Sequence, residues 1–220
     1  MKVLVLCDDA WHPAEVIKRG LRDFGDGEFL FDFVCDAKDV LNTEMLKEYP
    51  VIMNCKGNAL TSGNPAPWFE EGVTEVGARE LEQYVREGGG FLSVHAGNTA
   101  RKEEKNGYVE FVGNSFVTHP PRCEVAIKVT AEHPVTQGVE DFTIRDEHYQ
   151  LADIAKDAEI LLQSVSAAGG TQIAGYVRKM GNGRICALTP GHILAVWQNE
   201  MFRKLLKNAL WWCAAEEPKT

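Results

Sequence analysis

Apolar residues run from Val3 to Cys7 after Lys2 and stop at the paired acids Asp8-Asp9. A short run without polar alternation, closed by charge, predicts a central parallel strand over Lys2–Cys7 that empties into a polar loop. Pro13 suits a first helical turn, and Val16, Ile17, Gly20, Leu21 and Phe24 then recur at helical spacing. Phe29–Val34 reads as a second strand, Thr43–Glu48 as a short helix and Val51–Asn54 as a third strand. The next seventeen residues, 56–72, hold three glycines and two prolines and show no period, which predicts a functional or moving connection, a lid. Thr74 is placed to cap a helix with Val76, Leu81, Tyr84 and Val85 as its buried stripe and Gly88-Gly89-Gly90 as its end. Phe91–Val94 is a fourth strand, ending abruptly at His95-Ala96-Gly97-Asn98-Thr99. Strands alternating with helices call for a right-handed parallel sheet with its ligand site beyond the carboxyl ends of the strands.

The second half changes pattern. Glu124–Thr130 and Glu159–Ser166 read as strands, and Gln172–Lys179 and Arg184–Leu188 as a hairpin across Gly181-Asn182-Gly183. A terminal helix over Trp197–Cys213 places Phe202, Leu205, Leu206, Ala209 and Trp212 on one face. Nothing linker-like or repetitive divides the halves, so residues 1–220 are expected to form one domain.

Composition narrows the function classes. With 23 basic against 32 acidic residues, the net charge is −9, and there is no basic patch for nucleic acid or an anionic membrane. No apolar run approaches the roughly 18 residues of a membrane span, and the first residues lack the pattern of a signal peptide. Cys7, Cys35, Cys55, Cys123, Cys186 and Cys213 are dispersed, with no CxxC pair, as expected of free thiols in a reducing cytoplasm.

The chemistry gathers at a few junctions. GGGFLSVHAGNT drives an apolar strand into His95 followed by small residues, the setting of a nucleophile elbow, but with an acid, base or ligand at its tip in place of a hydroxyl or thiol. His12 and His192 also follow strand ends, where a parallel sheet collects its site. His119 and His133 each precede a proline. Function for His119 stays open, and His133 reads as a turn residue. In Asp146-Glu147-His148-Tyr149, extended backbone would turn Glu147 and Tyr149 one way and Asp146 and His148 the other. Glu147 and Tyr149 are the expected inward pair, against the alternative of a solvated charge cluster. Neither a phosphate-binding G-x-x-x-x-G-K-[ST] nor H-E-x-x-H is present. Even so, His12, His95 and His192 with Glu147 could assemble a zinc or related divalent site in space.

Four ordered stretches, GGGFLSVHAGNT, YVEFVGNSFVTHP, EHPVTQGVEDFTIRDEHY and GNGRICALTPGHILAVWQNEMFRKLLKNALWW, resemble the ThuA-like (trehalose-utilisation) proteins of the class I glutamine amidotransferase-like fold. That resemblance implies an α/β, flavodoxin-like three-layer sandwich, its central sheet mostly parallel with additional C-terminal strands. It implies carbohydrate metabolism, through an enzyme of hydrolase or lyase type or through a non-catalytic sugar-binding or regulatory module. His95 stands where the amidotransferases of the fold keep a cysteine, so no glutaminase activity is expected. His95, His119, Glu147, Tyr149 and His192 carry over by motif, while His12 and Lys56 rest on the residue argument alone. His95, Glu147 and His192 are the expected catalytic residues, and His12, Lys56, Asn98, His119, Tyr149 and Trp197 the expected substrate-binding set. The expected partner is a small-molecule carbohydrate, with self-association into a homo-oligomer left open.

Overall fold

Neighbouring residues of the first strand feed different cores: Val3, Val5 and Cys7 pack into one cluster of buried side chains, Leu4 and Leu6 into another. The period-2 geometry of a strand enforces this division, and it makes a sheet covered on both faces. The computed structural model describes residues 1–58, 68–70 and 72–216. In chain order the elements are β1 (Lys2–Leu6), α1 (Ala14–Gly20), β2 (Leu30–Val34), α2 (Thr43–Leu46), β3 (Val51–Asn54), α3 (Ala78–Arg86), β4 (Gly90–Val94) and α4 (Tyr108–Val112). They continue with β5 (Ser115–Thr118), β6 (Cys123–Val129), β7 (Phe142–Asp146), β8 (Gln150–Ala152), β9 (Glu159–Ser166), β10 (Gly170–Met180), β11 (Gly183–Leu188), α5 (Leu194–Trp197) and α6 (Glu200–Cys213).

Nine strands form one sheet in the order β2-β1-β3-β4-β11-β10-β9-β6-β7, while β5 and β8 pair separately. From β2 to β11 the pairings are parallel, and from β11 to β7 antiparallel. The result is the flavodoxin-like α/β sandwich with extra strands on one side. Residues of α1, α5 and α6 join the first core, with Ile17, Trp197, Phe202 and Leu206 buried there, and α3 and α4 supply Leu81, Val85 and Phe111 to the second. Each such large side chain contributes about 1.5–3 kcal/mol by leaving water.

Several local expectations are corrected. Thr74 does not cap α3: Gly77 occupies the cap, its N–H donating to Glu80 Oε2 at 2.9 Å, while the Thr74 hydroxyl faces the backbone carbonyls of Glu70 and Val76. The terminal helix is two helices, because the Asn199 side chain accepts from Phe202 N–H at 3.0 Å and starts α6 afresh. Strands β5, β7 and β8 add to the expected set. Most of the expected lid, residues 59–67 and 71, lies outside the described residues. Among the described residues no helix is long and apolar enough to cross a membrane, and the six cysteines are free thiols.

Candidate active site

Three parallel strands end in loops that carry imidazoles. After β1, Asp8 and Asp9 divide the work: Asp8 Oδ1 accepts from Ala14 N–H (3.0 Å) at the start of α1, and Asp9 winds the loop around its own carboxylate. Asp9 Oδ1 takes Trp11 N–H (2.8 Å), His12 N–H (3.0 Å) and His12 Nδ1 (2.8 Å), and Oδ2 takes Gly57 N–H (2.7 Å). After β4, His95 sits at φ 44°, a left-handed conformation that costs a non-glycine residue about 1–2 kcal/mol. The strain turns the chain sharply enough for Gly97 to press on β3, where a Cβ would lie 2.4 Å from the Asn54 carbonyl oxygen. After β11, Gly191 (φ 144°) passes so close to the elbow that its own Cβ would come within 2.9 Å of His95 Cβ. Asp146 at the end of β7 accepts from Gly191 N–H (2.8 Å) and His192 N–H (3.2 Å), fixing this third loop.

The three rings stand edge to face, with centroids 5.0 Å (His12–His95), 5.2 Å (His12–His192) and 5.4 Å (His95–His192) apart. Glu147 Oε2 lies 3.4 Å from His95 Nε2, 3.3 Å from His192 Nδ1 and 3.6 Å from His119 Nε2. One ligand atom each of His12, His95, Glu147 and His192 falls within 4.8 Å of all the others. The outer hydrogen bonds set the tautomers. His95 Nδ1 is 2.8 Å from the Thr189 carbonyl oxygen, which only accepts, so a neutral ring turns an Nε2 lone pair inward. His12 Nδ1 on Asp9 has the same consequence. Among the described residues His95 Nε2 and His192 Nδ1 are buried without a hydrogen bond, a cost that native interiors rarely leave unmet. A tetrahedral ion with bonds of about 2.0–2.1 Å spaces its ligand atoms about 3.3–3.4 Å apart, the separation of Glu147 from both of these nitrogens.

Burial pushes the Glu147 carboxyl up, but its closeness to His95, and to a lesser degree to His192 and His119, outweighs it and leaves the group below the usual carboxylate range. Burial drives His192 down to about 4 against the pull of Glu147, so its imidazole is neutral at physiological pH. Desolvation raises Asp146, partly offset by His95 and the amide donors. Tyr149 is buried, its phenol held well above its ordinary value by desolvation, and its ring stacks on His95 at 4.2 Å. A cavity of about 850 Å³ opens over this floor, lined among others by Trp11, His12, His119, Arg122, Glu147 and His192.

Of the expected site residues, His12, His95, His119, Glu147, Tyr149 and His192 converge. Alternation along the tetrapeptide turned Glu147 and Tyr149 inward as expected, and the segment is no solvated cluster: Asp146, His148 and Tyr149 are each 1% exposed. Register Thr118↔Gln150 between β5 and β8 then brings His119 beside Tyr149, their rings 5.7 Å apart. Lys56, Asn98 and Trp197 face elsewhere. Lys56 Nζ donates to the Cys35 carbonyl oxygen (2.6 Å), Asn98 Nδ2 to Leu188 O (3.0 Å) and Trp197 Nε1 to Gly191 O (2.7 Å). These three brace the loops from behind. His133 caps the turn Pro134–Thr136, its Nδ1 accepting from Val135 N–H (3.1 Å). Asp9, Asp146, Trp11 and Arg122 escaped the sequence reading. The acids directly after β1 were the one available signal, since a ligating imidazole needs an outer acceptor.

The profile of the ThuA family, described as trehalose utilisation, matches residues 2–213. A ThuA-like protein from Bacteroides uniformis is similar at 25% identity and TM-score 0.70, over 97% of this chain and 91% of that one. One from Parabacteroides merdae shares 19% identity at TM-score 0.74, over 100% and 92%. The fold also recurs within a β-galactosidase from Bacillus circulans (13% identity, TM-score 0.65), covering 98% of this chain and 31% of that one. No curated protein matches the chain at a significant level.

Proposed function

The chain belongs to the ThuA, trehalose-utilisation family, and from that footing we propose that it is a divalent-metal-assisted enzyme acting on a sugar or glycoside by hydrolysis or elimination. The observation that carries the reading is a pair of buried nitrogens, His95 Nε2 and His192 Nδ1, that have no hydrogen bond among the described residues and face one oxygen of Glu147. His12, His95, His192 and Glu147 would hold the ion, zinc by its preference for nitrogen and carboxylate oxygen at this spacing. The cation would act as a Lewis acid on a sugar oxygen. His119, half-buried at 3.6 Å from Glu147 and outside the ligand set, is the group left to exchange a proton with substrate. Its Nδ1 lies 2.9 Å from the Pro120 carbonyl oxygen, which presents Nε2 to the cavity. Without a cation, His95 and Glu147 would serve as an acid–base pair.

Elemental analysis of protein purified without an affinity tag tests the assignment, followed by chelation, metal return and turnover of a labelled sugar panel. Stoichiometric metal that is lost in His192→Ala, with turnover that follows the metal, is the expected result. Full turnover by metal-free protein would overturn the metal role, and saturable sugar binding without product would identify a binding module instead.

A further inference from the structure

The mouth of the cavity carries groups that the ligand cluster leaves unused. Trp11 is 72% exposed, whereas Trp68, Trp197, Trp211 and Trp212 are at most 7% exposed. Its position is not slack: Trp11 N–H donates to Asp9 Oδ1, the oxygen that also receives His12 Nδ1. The anchored backbone therefore carries an exposed indole at the entrance. Arg122 lines the same cavity and, among the described residues, has no carboxylate or hydrogen-bond partner. Glu104, a carboxylate at the mouth, is committed elsewhere, Oε1 to Arg101 N–H (2.9 Å) and Oε2 to Asn106 Nδ2 (3.3 Å). A second guanidinium, Arg101, lies over the Phe116 ring at 5.1 Å. In a chain of net charge −9, the entrance thus sets a flat apolar face beside a guanidinium that no carboxylate among the described residues pairs.

Resting on the reading of this cavity as a sugar site, we infer that Trp11 and Arg122 form an outer subsite for an anionic sugar. The indole stacks on the apolar face of a pyranose ring, and the guanidinium pairs a carboxylate or phosphate that the ring carries. A guanidinium matches either anion with two parallel hydrogen bonds. A neutral polyol would give it no charged partner. The volume, about 850 Å³, suits a ligand that reaches from the histidine floor to this rim.

Acrylamide quenching of tryptophan emission reads the subsite without turnover, since Trp11 is the one exposed indole of the five. Methyl glucuronide, glucose 6-phosphate and neutral methyl glucoside are compared as protectants, on metal-loaded and on chelated protein. At least one anionic sugar should protect at about tenfold lower concentration than the neutral glucoside, and the better of the two identifies the anion. Arg122→Gln should bring that sugar to the level of the neutral one, and Trp11→Phe should abolish the quenchable signal and weaken binding measured by calorimetry. Equal protection by all three sugars, none by any, or an unchanged preference in Arg122→Gln would overturn the subsite. Metal-dependent turnover with no preference for an anion defeats this inference alone. An intact preference in a protein that binds no metal defeats only the metal reading.

Discussion

In the parallel half of the sheet, β2-β1-β3-β4-β11, the functional side chains all follow carboxyl ends of strands: His12 after β1, His95 after β4 and His192 after β11. In the antiparallel half and the small β5–β8 pair, they come from links between strands: Glu147 and Tyr149 between β7 and β8, and His119 after β5. The first half brings the imidazoles together because parallel strands all end on one side. The second supplies the carboxylate and a wall of stacked rings, through the alternation of a short extended segment. One site therefore draws its base-rich and acid-bearing sides from two kinds of architecture.

The sharpest way to break this division is to remove one group from each half. His95→Asn, which keeps a residue tolerant of φ 44°, and Glu147→Gln should each lower turnover at least about 100-fold with melting temperature nearly unchanged. If Glu147→Gln is silent, the antiparallel half is only a wall. If both melt far below wild type, the residues are structural. Next come the orienting acids. Asp9→Ala should weaken cation binding by about 10–100-fold, measured by competition with a chelating dye, because His12 loses the acceptor that sets its tautomer. Asp146→Ala leaves two buried amides without an acceptor and should cost about 1–3 kcal/mol in denaturant unfolding.

A smaller effect is expected far from the site. Burial holds His133 below its ordinary value of 6.5, against the opposing pull of Glu159. The unfolded chain therefore takes up the proton first. Stability from the neutral ring is complete above about 6.5 and declines as pH falls from there through the folded value. His133→Gln should lose about 1 kcal/mol at pH 7 and flatten that decline in the melting curve, with turnover unaffected. The smallest expected signal is none at all: no ammonia should be released from glutamine. Cys55, the nearest thiol to consider, is buried with its thiol held well above the usual range by desolvation. Ammonia release that disappears in Cys55→Ala would refute this.

Runs such as Val51–Asn54 and Glu159–Ser166 were legible to the residue, because four to eight apolar or alternating positions bounded by breakers leave little choice. Strands β5, β7 and β8, of four, five and three residues, were not recognised. Ser115–Thr118 and Gln150–Ala152 show neither an apolar run nor a clean alternation, and in Phe142–Asp146 the buried alternation takes in a carboxylate, Asp146, so hydrophobicity alone does not mark it. The elbow histidine was legible because Val94-His95-Ala96-Gly97 interrupts an apolar run with small residues. The orientations of Lys56, Asn98 and Trp197 were not, since proximity to a strand end says nothing about which carbonyl a long side chain will reach. Alternation turns Asp146 away from Glu147, but says nothing of its carboxylate holding the His192 loop.

The strand order also governs how the molecule can be made. β11, residues 183–188, pairs with β4, residues 90–94, at the centre of the sheet. As the chain leaves the ribosome, β4 therefore waits with one edge unpaired until residues 183–188 have emerged. His192 arrives later still, so no nascent chain short of that residue carries the cluster. Non-local pairing of this kind folds slowly and leaves open edges in the interval. The same topology that gathers the imidazoles leaves a central sheet edge bare for much of the time the chain is being made.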